Sequence, residues 1–170
     1  MKIVIPGGTG QVGTLLARAF HGDGHEVVVL GRHQRKPVPW RAVQWDPANQ
    51  RGWPAEIDGA NAVVNLAGRS VNCRYDRKNR EEILQSRVAS VQAVGQAILS
   101  AKRPPSVWLQ ASTATIYAHR YDSPNDEKAG LIGGTEPDAP ETWRFSIDVV
   151  KAWERALDEV PTPATRRVKL

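Results

Sequence analysis

Short apolar runs alternate along the chain with longer stretches of helical period. Ile3-Val4-Ile5 reads as a buried strand, and Thr14 to Phe20 opens a helix with Val12, Leu15, Leu16, Ala19 and Phe20 on one face. Gly22-Asp23-Gly24-His25 is a helix stop and turn. Glu26 to Leu30 is a second strand and Ala42 to Asp46 a shorter third, with Pro37 and Pro39 breaking structure between them. A loop carries Trp53-Pro54 and Ile57-Asp58-Gly59. Ala62 to Gly68 then begins as an apolar fourth strand, of the kind buried on both faces in parallel sheets. Asp76 to Lys102 reads as one long helix, in which Ile83, Leu84, Val88, Val91, Val94, Ala97 and Ile98 keep the period. After Pro104-Pro105, Ser106 to Ala111 is a fifth strand. Residues 119 to 141 form a long polar loop, of a length that is usually functional or mobile. Thr142 to Glu159 is a second long helix, with Phe145, Val149, Ala152, Trp153, Ala156 and Leu157 facing inward. Arg166 to Leu170 starts a sixth strand. Strands alternating with helices predict an α/β fold built on an open parallel sheet.

The first strand runs straight into Gly7-Gly8-Thr9-Gly10-Gln11-Val12-Gly13. Gly8, Gly10 and Gly13 fit G-x-G-x-x-G, and Gly7, Gly10 and Gly13 fit G-x-x-G-x-x-G. Strand, glycine turn and helix together are the context a dinucleotide fingerprint requires. Glycine lets a pyrophosphate approach the main chain. The helix N-terminus then offers free N–H groups and the positive end of its dipole. The expected fold is therefore a Rossmann-like, doubly wound parallel sheet with helices on both faces, binding its ligand at the carboxyl ends of the strands.

Composition sets outer bounds. The 170 residues suit one domain spanning 1–170, and 41% hydrophobic residues argue against disorder. No apolar run is long enough to cross a bilayer, and the N-terminus does not read as a signal peptide. The single cysteine, Cys73, excludes an internal disulfide and fits a reducing cytosol, so a cytoplasmic location is expected. The net charge is +5, but the basic residues are scattered without interleaved aromatics. That argues against nucleic acid as a partner. A small-molecule substrate is the expected partner, with no membrane, and with a homodimer as a further candidate. No metal site is expected.

The end of the second strand bears on cofactor choice. It reads Leu30-Gly31-Arg32-His33-Gln34-Arg35, with arginines and no carboxylate to hold a ribose 2′-OH. A guanidinium suits a 2′-phosphate, so NADP is expected ahead of NAD, with Arg32 and His33 beside it. Asp46 stands at the level where adenine contacts arise in such folds, though a plain turn fits it equally. Leu66, Ala67 and Gly68, at the end of the fourth strand, lie where a cofactor ribose would pass.

With GGTGQVG at 7–13, NLAG at 65–68, STATIYA at 112–118 and a downstream helix carrying Lys151, the chain resembles the short-chain dehydrogenase/reductase superfamily. The similarity is to its extended, sugar-nucleotide epimerase/dehydratase-like branch. WDP at 45–47, the run SVNCRYDRKNREEILQSRV at 70–88 and KAWERA at 151–156 look like an atypical epimerase-like subgroup of that branch. Members are longer, so the resemblance implies a truncated chain that lacks a C-terminal substrate-binding part. It also implies hydride transfer between a nicotinamide and a sugar-nucleotide or other carbonyl substrate. A Tyr-x-x-x-Lys pair would serve proton exchange, and a Ser or Thr would orient the substrate oxygen. Thr113 matches the Ser/Thr position. Lys151 matches the lysine and would also hold the ribose. Four residues before it, however, stands Ile147. Tyr117 is the nearest substitute by motif, with a packing role as the alternative. The absent tyrosine leaves open a second reading, a cofactor-binding or regulatory module without catalysis.

Overall fold

A computed structural model describes residues 1–32 and 37–170. Six strands form one sheet: β1 (Lys2–Pro6), β2 (Glu26–Gly31), β3 (Arg41–Gln44), β4 (Ala62–Asn65), β5 (Val107–Gln110) and β6 (Arg166–Lys169). Their spatial order is β3-β2-β1-β4-β5-β6, and every pairing is parallel. The order reverses between β1 and β4, which makes their carboxyl ends the topological switch point. The helices are α1 (Gln11–Gly22), α2 (Pro54–Ile57), α3 (Arg77–Ser100) and α4 (Glu141–Glu159). Among the described residues, no helix is long and apolar enough to cross a membrane.

Strand alternation divides the core in two. In register across the sheet, Val28, Val4, Val63 and Trp108 point to one face. There they meet Ile57 of α2, Val91, Val94 and Ile98 of α3, and Trp153 and Leu157 of α4. Ile3, Ile5, Val27, Val29 and Val64 point to the other face, where Ala17, Leu16 and Phe20 of α1 cover them. The sheet is therefore doubly wound, with side chains buried on both faces as the apolar runs require.

Three details depart from the sequence reading. Val12 and Leu15 are 60% and 58% exposed, and Ala19 is exposed too. The packed stripe of α1 is Gly13, Leu16, Ala17 and Phe20. A Cβ on Gly13 would lie 2.4 Å from the Gly8 Cα, so that backbone contact fixes the rotation of the helix. The segment 53–59, read as loop, contains the short helix α2, with Pro54 in its first turn. On α4, Ile147 and Val150 are buried while Phe145 and Ala152 are only half-buried. The long helix starts where expected: Asp76 caps α3, its side chain accepting from the Asn79 N–H at 2.8 Å.

Candidate functional site

The glycine turn sits at the switch point, and its glycines are not alike in their surroundings. Gly7 has φ +76°, and a Cβ there would lie 2.6 Å from the Ala67 Cα and N. The turn therefore rests directly on the 66–67 backbone. Its N–H donates to the Leu30 carbonyl at 2.8 Å, and the Leu66 N–H donates to the Pro6 carbonyl at 2.9 Å. Gly8 and Gly13 abut each other's backbone, as above. Gly10 differs. Its φ of −73° suits any residue, and a Cβ would meet only the Gly7 carbonyl oxygen, at an ordinary 3.5 Å. Gly10 is the N-cap of α1 and no side chain caps the helix, so the first-turn N–H groups, at exposed Gln11 and Val12, remain open to an anion.

The turn at 65–68 is held by buried polar groups. Asn65 and Gln110 are in register on β4 and β5, and both are buried. The Asn65 amide Nδ2 donates to Gln110 Oε1 at 2.9 Å and to Ser90 Oγ at 3.3 Å, while its Oδ1 accepts from the Ala67 N–H at 3.1 Å. Ser90 Oγ donates to the Arg87 carbonyl at 2.8 Å. Leu66, Ala67 and Gly68 are thus pinned from β5 and α3 and pressed against Gly7. The sequence reading missed Ser90 and Gln110 altogether. The available signal was a pair of amides directly following Val63-Val64 and Trp108-Leu109.

Cavities lined by described residues lie to either side of the switch point. One, of about 320 Å³, is lined by Thr9, Gly31, Arg32 and Gln44 with Val29, Ala42 and Val43. Arg32 is exposed, and none of the described residues lining the cavity is a carboxylate. Gly31 keeps room for Thr9, whose Cγ2 would lie 2.4 Å from a Cβ at 31. Asp46 lies outside this lining, in a tight turn where its Oδ1 accepts from the Ala48 N–H at 3.0 Å. His33 falls outside the described residues.

The second cavity, of about 280 Å³, lies between α3 and α4 beside the end of β5. Ser112 and Thr113 line it, as do Tyr75, Arg87, Phe145 and Trp153. Thr113 Oγ1 accepts from the Thr115 N–H at 3.3 Å and shares a hydrogen bond with the Thr115 hydroxyl at 3.0 Å. Arg87 donates from Nη1 to the carbonyls of Arg69 and Ile83, at 3.1 and 3.0 Å, and lies over the Trp153 ring at 5.2 Å. Burial pushes its pKa below the usual arginine value, partly offset by attraction to the Tyr75 oxygen.

The remaining catalytic candidates gather elsewhere. Tyr117 is not among the lining residues. Its ring lies against Gly130, where a Cβ would come within 2.5 Å of it, and its backbone pairs with Ile132. Ile147 is fully buried, under Gly133 and Gly134. Lys151 donates from Nζ to the Gly133 carbonyl at 3.2 Å. The position four residues ahead of Lys151 is therefore core, and the lysine engages the 119–140 strap. Tyr75, which the sequence reading passed over, is the tyrosine that lines the cavity with Thr113.

Residues 3–140 match the family described as the NAD dependent epimerase/dehydratase family. The chain belongs to that family. It is 32% identical over 171 residues to the epimerase family protein SDR39U1 of Bos taurus, covering 99% of this chain and 52% of that protein. A crystal structure of the human epimerase family protein SDR39U1 (isoform 2) with NADPH aligns with TM-score 0.78 and 30% identity, over 99% of this chain and 52% of that one. A nucleoside-diphosphate sugar epimerase from Corynebacterium glutamicum aligns with TM-score 0.72 and 25% identity, over all of this chain and 33% of that one. The chain spans about half the length of the curated relatives it matches. This epimerase-family sheet carries its glycine turn at the switch point.

Proposed function

We propose that this chain is the NADP(H)-binding part of an oxidoreductase or epimerase-like enzyme acting on a small carbonyl substrate. Gly10 is the observation that carries the reading. Nothing among the described residues demands glycine there, since a Cβ has room and the backbone is unstrained. The space above it, faced by uncapped N–H groups, suits a pyrophosphate. Arg32, beside a cavity without carboxylates, supports NADP over NAD, in keeping with the NADPH in the human relative's structure.

When bound, the nicotinamide supplies or accepts the hydride. The chain's own residues do the rest. The first turn of α1 holds the phosphates, Arg32 the 2′-phosphate, and the 66–68 turn the ribose. Thr113 offers a hydroxyl to the substrate oxygen in the second cavity, and Tyr75, which lines the same cavity, exchanges a proton there. Titration calorimetry on the 170-residue chain tests the cofactor reading, which predicts tighter binding of NADP⁺ than of NAD⁺. Equal affinities would overturn it.

A cofactor-binding module without turnover is the second reading. It is favoured by Ile147 lying buried under the strap and by Lys151 being bonded to Gly133. Single-turnover oxidation of bound NADPH with a panel of carbonyl compounds separates the two. Turnover that falls in Tyr75→Phe and Thr113→Ala supports the enzyme, whereas binding without turnover supports the module.

A further inference from the structure

The cavity between α3 and α4 has a charge pattern that narrows what it binds. Among the described residues that line it, Arg87 alone carries a formal charge, and none is a carboxylate. Among the described residues, none of the ion pairs involves Arg87. Its two carbonyl bonds fix the guanidinium without neutralising it, and both use the same nitrogen, Nη1. The other edge of the fork is left for another acceptor. Trp153, against which the guanidinium lies, is buried, and its indole N–H has no acceptor among the described residues. Tyr75 and Phe145 complete an aromatic wall, their rings edge to face at 5.5 Å.

A half-buried cation without a counter-ion is held at a cost, because it has lost water and gained no opposite charge. A planar anion relieves that cost best, because two parallel N–H groups of the fork match two carboxylate oxygens. Aromatic faces beside the fork favour a flat or apolar body on the same ligand. Pockets of this size take small molecules.

We infer that this cavity binds a small carboxylate-bearing molecule, with Arg87 as its anion receptor and Tyr75, Phe145 and Trp153 as the wall for its apolar part. This names the substrate class of the same site and rests on the oxidoreductase reading above: a carbonyl compound that also carries a carboxylate. Arg87 separates substrates by charge, and Thr113, at the same cavity, meets the reacting oxygen.

Benzoate and benzamide are the probes, being alike in shape and different in charge. The ¹⁵N-labelled chain is titrated with each, with and without NADP⁺, and the Trp153 indole N–H signal is followed after assignment by its disappearance in Trp153→Phe. Benzoate is expected to shift that signal saturably and to bind at least about tenfold more tightly than benzamide. Arg87→Gln should abolish benzoate binding while calorimetric NADP⁺ affinity stays near the parent value, and Arg87→Lys should retain part of it. Equal binding of the two probes, no shift with either, or parent-like benzoate binding by Arg87→Gln would overturn the inference. If Arg87→Gln fails to fold, the parent's discrimination between the probes decides alone. Loss of charge discrimination with NADP⁺ still bound removes only this inference. Absent NADP⁺ binding removes the oxidoreductase reading, and the cofactor-free titration still decides the charge question.

Discussion

At the carboxyl ends of β1 and β2 the main chain shapes the site, whereas at the ends of β4 and β5 side chains do. In the first region Gly7, Gly8 and Gly13 let backbone touch backbone at distances no Cβ allows, and the helix N-terminus is left uncapped. In the second, Asn65, Ser90 and Gln110 build a buried amide and hydroxyl network that fixes the 65–68 turn, and Arg87 is set over Trp153. Glycine contacts are steric and nearly all-or-none. A polar network distributes its work over several bonds, so it fails by degrees. The two regions meet where Gly7 rests on Ala67, and a cofactor lying across the switch point would sense both.

Glycines three apart should break the first region in two different ways, with the largest effects in the molecule. Gly13→Val drives a branched side chain into the Gly8 backbone and should cost about 3 kcal/mol or more. That would show as a large fall in melting temperature. Gly10→Val meets no such obstacle. It should leave the far-UV circular dichroism and melting temperature close to the parent while cofactor affinity falls about 100-fold or more, equivalent to about 2.7 kcal/mol. Calorimetry and thermal melts on the pair check the contrast. Cofactor binding that survives Gly10→Val places the phosphates elsewhere.

The second region should answer less steeply. Asn65→Ala removes one hub and leaves the side-chain Gln110 Oε1 and the Ala67 N–H without their buried partner. The expected cost is about 1–3 kcal/mol, or about 2–4 °C of melting temperature for each kcal/mol in a chain of this size. Cofactor affinity should fall with it, since the 66–68 turn loosens. Melting temperature and calorimetric affinity that both stay at parent values would mean that Gly7 alone holds that turn.

The same division governs how much could be read in advance. The turn at 7–13 was legible because glycine spacing after an apolar run encodes backbone sterics directly. The parallel sheet was legible because Val4, Val28 and Val63 sit in unbroken apolar runs. The face of α1 was misread: Val12 and Leu15 are apolar, but the Gly8–Gly13 contact outranks hydrophobic period in setting the rotation. Tyr75 and Arg87 were passed over because each sits among other charged or polar residues, at 70–88, and only the packing of α3 on α4 shows which of them reach the cavity. Ile147 was expected to stand where a tyrosine would act. Its burial follows from the path of a strap whose contacts leave no periodic trace.

Arg32 sharpens the contrast with a smaller effect. Arg32→Ala leaves the turn and its N–H groups intact, so NAD⁺ affinity should hold. NADP⁺ affinity should fall by about 1.5–3 kcal/mol, the usual worth of hydrogen bonds to a charged group, and the preference between the two should vanish. Competition calorimetry measures both. A preference that persists without Arg32 assigns the 2′-phosphate to another residue.

The smallest expected effect concerns acid and the strap, which unlike the glycine turn is held in part by carboxylates. Hydrogen bonds from the Ala129 and Lys128 N–H groups hold the Asp126 carboxyl below its usual value. Backbone hydrogen bonds, among them one from Gly134, do the same for Glu136. The Arg120 guanidinium pulls Asp122 down to about 2. A carboxylate whose pKa is depressed by folding stabilises the fold above its unfolded pKa and loses that contribution as pH falls through its folded value. The strap should therefore keep its bonds at neutral pH and release them below about pH 4, with the Arg120–Asp122 pair the last to go. Asp122 and Asp126 are exposed and Glu136 is half-buried, away from the sheet's core clusters, so the change should be local rather than a collapse of the sheet. Amide shifts of Lys128, Ala129 and Gly134 followed by NMR should titrate below the ordinary carboxylate range while those of Val4 and Val28 stay flat. Midpoints at ordinary values would mean that the strap is not held by these carboxylates, and simultaneous movement of Val4 and Val28 would make it part of the same cooperative unit as the sheet.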